Sequence, residues 1–405
     1  MGGKIVDNYG FFKYLATENH YTSIAKTLNS TKITAETQKT LKRITKKNIK
    51  YAHMGQLIIK EGICYATFIQ NPGSDGEAHD SVTNGVVLAV FDLETIRSDS
   101  FDPEKDIEFY PIGSKGDSCA GHIAASIFKD NSMCLVGDML YVCFSFITDD
   151  NRSHIFQKTF DVNSKTWVDE ALVKLRYKGE ACDFSDDLIN RIYRDNGAEP
   201  RAKGLIELVS AWSEYNGEYY ATGLTIEGPN HGLVVKTSDF HTMDFVSIVP
   251  FNDMGTAEIA SYVYKNKLYV ACRQDYGIPY LYIGALNLND MTWCAHHKIA
   301  DGNVRPWFFE YKNELYLLNT TQEMYRRYTN ISRVRTWDTE HSFFNDFCPT
   351  EIVATIKGCG SYYATANYKD NVYFVSTHNT ESFGKLCLHF YDEDEVNNKL
   401  LSLLE

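Results

Sequence analysis

A carboxylate at Glu258 and a guanidinium at Arg273 flank the segment AEIASYVYKNKLYVACR, residues 257–273. It reads as strand, tight turn, strand, so the chain folds back and returns Arg273 to the end where Glu258 began. A carboxylate placed this way could do acid–base work, or only pair with an arginine at a pocket wall. Tyr362 and Tyr363 open a further apolar strand in the phrase SYYAT, residues 361–365. Strand alternation turns Tyr362 and Tyr363 to opposite faces, so one of them can reach a shared pocket. Arg305 opens the phrase RPWFFEY, residues 305–311. With Arg273 it would supply paired donors for a substrate carboxylate, and Trp307 beside it would supply an aromatic surface.

Other polar residues stand at like places, just ahead of apolar strands: His53, His122 and Glu207. His122 sits in the small-residue stretch GDSCAGHIAA and could act as acid or base near neutral pH, or serve as a hydrogen-bonded structural histidine. Glu207 and Glu258 could work on a glycosidic bond as a carboxylate pair, or simply pair with arginines and hold a pocket in shape. The loop PGSDGEAHD, residues 72–80, could overhang a pocket and donate a proton through Asp80, or be an ordinary solvated turn.

What must position these groups is a repeated phrase, a polar turn followed by an alternating aromatic and aliphatic strand. Its copies are KEGICYA at 60, VGDMLYV at 136, YNGEYYA at 215, YKNKLYV at 264, YKNELYL at 311 and YKDNVYF at 368. Gly, Asn and Asp supply the backbone angles of tight hairpins. The later spacings suit a four-stranded propeller blade. The longer early gaps call for insertions, at residues 71–84, 97–117 and 183–201, the last with a short helix capped by Ser185 or Asp186. The expectation is an all-β, six-bladed β-propeller over residues 51–392, with blades starting near 50, 120, 205, 255, 302 and 350. Residues 1–50 would close or cover it, and 393–405 would form a short C-terminal helix.

The arrangement resembles the sialidase-like (neuraminidase, BNR-repeat) propeller glycoside hydrolases. The segment 257–273 carries the likeness most strongly. A degenerate Asp-box, KTSDFHTMDF at 236–245, adds to it and would be structural. The resemblance implies that Glu258 partners a nucleophilic Tyr362 or Tyr363, and that Arg273 belongs to a carboxylate-binding triad. Where the family places its first arginine this chain has His53, Met54, Gly55 and Gln56.

Three functions fit. One is a glycoside hydrolase acting on an acidic or terminal sugar. The second is a polysaccharide lyase acting on uronates, with His53, His122 and a Tyr abstracting a proton. The third is a non-catalytic glycan-binding propeller. The abundance of aromatics (27 Tyr and 23 Phe) suits half-buried sheet positions and sugar surfaces alike. A formal charge of −13 disfavours nucleic acid as a partner. No segment reads as a membrane span, and ten scattered cysteines without a CxxC pair read as buried thiols, so neither a metal nor another cofactor is expected. The location would be secreted or periplasmic if an export signal has been removed, and cytoplasmic otherwise.

Overall fold

Each repeated phrase is a hairpin. In the computed structural model, the turn of the first copy places Glu61 at φ +53° and Gly62 at +84°, and that of the third places Asn216 at +54° and Gly217 at +80°. Two consecutive positive φ values give a turn whose twist matches that of the flanking strands. The fifth copy does the same with Lys312 and Asn313. The structure describes residues 41–73, 85–150, 152–200, 203–208, 210–227, 231–250, 256–274, 280–294, 297–300, 304–320, 328–334, 350–357, 361–378 and 385–389.

The strands pair into six sheets, taken here in chain order. The first holds Tyr51–Lys60, Ile63–Asn71, Gly85–Asp92 and Glu108–Ser114. The second runs from Ser118–Cys119 and the long strand His122–Val136 out to Thr166–Leu172. The third begins with the hairpin Lys174–Tyr177 and Glu180–Asp183 and includes Lys203–Leu208, Glu218–Glu227, Leu233–Thr237 and Thr242–Ile248. The fourth is built on Thr256–Tyr264, Lys267–Gln274 and Tyr280–Asn287. The fifth holds Trp307–Tyr311, Glu314–Thr320, Tyr328–Val334 and Thr350–Lys357. In the sixth, Ser361–Tyr368, Asn371–His378 and Lys385–His389 are joined on the outside by Leu41–Arg43.

The expectation of a six-bladed propeller is corrected by this pairing: the described strands do not divide into six four-stranded blades. Only three sheets have the expected four strands; two have five and one has seven. The seven-stranded sheet contains a parallel pair, Lys174–Tyr177 against Thr242–Ile248, which no blade repeat anticipates. The region near 350 starts no new unit. Thr350–Lys357 is the outer strand of the fifth sheet, and the last sheet opens at Ser361. Residues 97–117, read as a polar insertion, include the outer strand of the first sheet. An apolar run identifies a strand but not its neighbour, which explains these errors.

The helix Asp186–Asp195 forms where the sequence placed it. The Ser185 side chain caps it by accepting a hydrogen bond from the Leu188 amide at 3.3 Å. Leu188, Ile189, Ile192 and Tyr193 pack down onto the third sheet. The Asp-box is a turn: Asp239 accepts from the Thr242 and His241 amides at 2.8 and 2.9 Å. The described cysteines are free, and Cys64, Cys119, Cys134, Cys143 and Cys272 are buried.

The core lies in the seams between successive sheets. Ile155 and Cys143 of the second sheet pack with Ile206 and Ala221 of the third. Val234 packs with Ile259 and Leu268, and Ala271 with Phe308 and Leu317. Phe309 and Tyr316 of the fifth sheet share a cluster with Phe374 of the sixth and Phe68 of the first. The last sheet therefore packs back onto the first. Sheets buried on both faces need near-continuous apolar strands, and residues 86–91 are buried without exception.

Candidate functional site

Besides His122–Val136 of the second sheet, four more innermost strands break register near their starts. The irregularities fall between His53 and Gln56, Lys203 and Ile206, Thr256 and Ile259, and Ser361 and Ala364. A bulge adds a residue, bends the strand and re-aims a side chain. Three of these bulges present His53, Glu258 and Tyr362. Met54 and Tyr362 adopt positive φ, +57° and +60°, a conformation that bulky L-residues take only when the surroundings impose it.

The side chains converge. Arg273 Nη1 donates to a Glu258 carboxylate oxygen at 2.7 Å and to the Tyr362 hydroxyl oxygen at 3.2 Å. Phenol, carboxylate and guanidinium thus form a triangle in which Arg273 contacts the other two. The His53 ring meets the Tyr362 ring edge-on, with centroids 4.0 Å apart, and its Nδ1 is 2.8 Å from the Thr377 hydroxyl. The Arg305 guanidinium lies over the rings of Trp307 and Tyr362, at 5.4 and 5.8 Å.

Burial pushes the Glu258 pKa up. The charge and hydrogen bond of Arg273, the Tyr362 hydroxyl and the charge of Arg305 together outweigh it, and the carboxyl ends below the usual carboxylate range. Glu258 is therefore ionised at neutral pH, held as an anion chiefly by Arg273. Two guanidiniums against one carboxylate leave local positive charge within a chain that is acidic as a whole.

Of the ten residues singled out from sequence, the structure brings six together: Glu258, Tyr362, Arg273, His53, Arg305 and Trp307. Tyr363 packs instead into the core with Tyr373 and Phe374. Trp307 is buried, its indole N–H donating to Thr365 at 3.2 Å, so it supports Arg305 and offers no open sugar platform. Arg305 is only 2% exposed and donates to the Gly55 carbonyl at 3.0 Å. His122 stays in the second sheet, its ring 5.4 Å from that of His154 and 5.8 Å from that of Phe156. Glu207 is buried in the third sheet opposite Leu224. Asp80 lies outside the described residues.

Sequence reading missed Thr377, Asn131 and Gln56. Gln56 donates to the Asn131 carbonyl at 2.9 Å, and the Asn131 amide donates to the Met54 carbonyl at 3.2 Å. Asn131 and Thr377 sit among other polar residues of their strands, so the sequence offered no signal that singled them out. Among the described residues no group of His, Cys, Asp or Glu is arranged to hold a metal ion, and no helix is long and apolar enough to cross a membrane.

No family model and no curated protein matches the chain. Solved structures do. Trypanosoma rangeli sialidase in complex with the inhibitor DANA superposes with a TM-score of 0.58 at 11% identity, over 90% of this chain and 60% of that one. This chain has a sialidase-like β-propeller fold. The same sialidase with 2,3-difluorosialic acid, described as a covalent intermediate, gives a TM-score of 0.55 at 10% identity over 90% of this chain and 58% of that one. A Hadza microbial sialidase gives 0.54 at 9% identity, over 84% and 65%. This sialidase-like propeller thus spans about three-fifths of the length of the first of these structures.

Proposed function

We propose that this chain is a glycoside hydrolase acting on a terminal acidic sugar, with Tyr362 as nucleophile and Glu258 as its base. One observation carries the reading: a single guanidinium nitrogen of Arg273 contacts both the Glu258 carboxylate and the Tyr362 hydroxyl oxygen. The Tyr362 oxygen would attack the anomeric carbon while its proton passes to Glu258. The bond to the leaving oxygen breaks, and that oxygen takes a proton from an acid, assigned here to Asp80. Water then releases the sugar from Tyr362. Arg273 donates to the phenol oxygen throughout, which favours the charge developing there. Its side chain keeps 14% exposure, enough to meet a substrate carboxylate as well.

The fold match supports the class of chemistry, since the matching structures include sialidases, one of them described as a covalent intermediate. The test is release of a fluorogenic aglycone from a panel of sialosides, uronides and neutral glycosides. Turnover of an acidic glycoside by the parent protein, lost in Tyr362→Phe, is the expected result. Equal turnover by parent and variant would sink it. The contact between His53 and Tyr362 favours a second reading, lyase action on a uronate, in which this pair removes a proton. An unsaturated, ultraviolet-absorbing product would select the lyase.

A further inference from the structure

We propose that His53 is a positioning residue that fixes the Tyr362 ring and so aims its hydroxyl at Glu258 and Arg273; the inference rests on the reading of Tyr362 as nucleophile. Tyr362 is an unfavourable residue to hold still. It sits in a bulge at φ +60°, where a bulky L-residue has no intrinsic preference to stay. Its ring must be held from outside, and two groups do so. Arg305 covers it at 5.8 Å, and the His53 ring closes against it at 4.0 Å.

His53 can serve as a stop because it is fixed in turn from outside its own sheet. Thr377 of the sixth sheet engages Nδ1 at 2.8 Å, which sets the ring rotation. Arg305, two residues ahead of the fifth sheet, contacts Met54 Sδ at 3.8 Å and donates to the Gly55 carbonyl at 3.0 Å. Asn131 of the second sheet donates to the Met54 carbonyl at 3.2 Å. The first-sheet bulge is thereby clamped in the shape that presents His53.

Small displacements of a reacting atom cost rate steeply, by up to about 100-fold for an ångström. His53→Ala should therefore lower kcat by about 10- to 100-fold on the acidic glycoside with KM within a few-fold. His53→Phe keeps the ring contact without the Thr377 hydrogen bond and should recover most of that loss. A second readout is independent of turnover. In protein carrying ring-labelled tyrosine, Tyr362→Phe identifies the Tyr362 resonance, and pH titration follows its ionisation in each background. His53→Ala should shift that titration, and His53→Phe should restore it. If the parent cleaves no glycoside while the shift appears, the hydrolase reading fails and the positioning role stands. An unchanged Tyr362 titration together with an unchanged kcat in His53→Ala overturns the proposal. Should the alanine variant not fold, His53→Phe and His53→Asn supply the same comparison, since asparagine lacks the ring.

Discussion

Arg273 and Glu258 are fifteen residues apart in sequence and 2.7 Å apart in space, buried at the mouth of one hairpin. Their pairing has one consequence for catalysis and another for stability. Removing either partner leaves the other charge in a site that excludes water, and breaking a buried pair of this kind costs about 3–5 kcal/mol.

Glu258→Gln keeps the shape and one acceptor but loses the charge. Turnover of the acidic glycoside should fall by about 10²–10⁴-fold. The melting temperature should fall too, since Arg273 loses its counter-ion. A double-mutant cycle between Glu258→Gln and Arg273→Met, read by denaturant unfolding, should give a coupling of about 1–3 kcal/mol. Additive effects would mean that the two groups do not act as a pair.

Acid should unfold the protein in part through Glu258. Its folded pKa is depressed below the ordinary 4.5, so its contribution to stability is fully present above about that pH. It is lost as pH falls through the folded value, because the unfolded chain then takes up a proton that the folded chain refuses. Stability measured from pH 6 downward should therefore fall less steeply in Glu258→Gln than in the parent. Parallel curves would remove Glu258 from the acid transition.

His154 titrates in a higher window. Burial lowers its pKa from 6.5, neighbouring His122 and Arg152 add to the effect, and Asp183 and Asp150 oppose it. Its Nδ1 is buried without a hydrogen-bond partner. The unfolded chain binds the proton first, so stability is fully present above about pH 6.5 and declines as pH drops below it. His154→Phe should flatten the stability curve between pH 7 and pH 5. Nuclear magnetic resonance titration of the ring gives the direct check, and an imidazole titrating at or above 6.5 would contradict the assignment.

Ser185→Ala removes the cap of the helix Asp186–Asp195 and should cost about 1 kcal/mol. Ser185→Asp should restore it, since Asp caps as well and suits the helix N-terminus. Activity should not change in either variant, because the helix packs on the third sheet, away from Tyr362.

The hairpins were legible in the sequence because each carries a local signature: Asn216-Gly217 and Glu61-Gly62 announce their own backbone angles. The pairing of Glu258 with Arg273 was legible for the same reason, since one turn sets it. The choice between Tyr362 and Tyr363 was not. It depends on a bulge and on φ +60° at Tyr362, and both are imposed by Arg305 and His53 from far away in sequence. Arg305 reads as a ligand-binding arginine until its burial shows that it holds Gly55. Sheet membership was the least legible. Thr350–Lys357 looks like the start of a unit and serves as the edge of another, because edge and inner strands share one apolar pattern here.

The outer strand of the last sheet comes from Leu41–Arg43, near one end of the chain, and pairs with Lys385–His389, near the other. Glu258 and Arg273 belong to the fourth sheet, Tyr362 to the sixth and His53 to the first, on both sides of that closure. Synthesis delivers them in an order that leaves the triangle unmade until the sixth sheet has emerged and found its early-made partner. A nascent chain therefore lacks the contact between Arg273 and Tyr362 until the sixth sheet has been made.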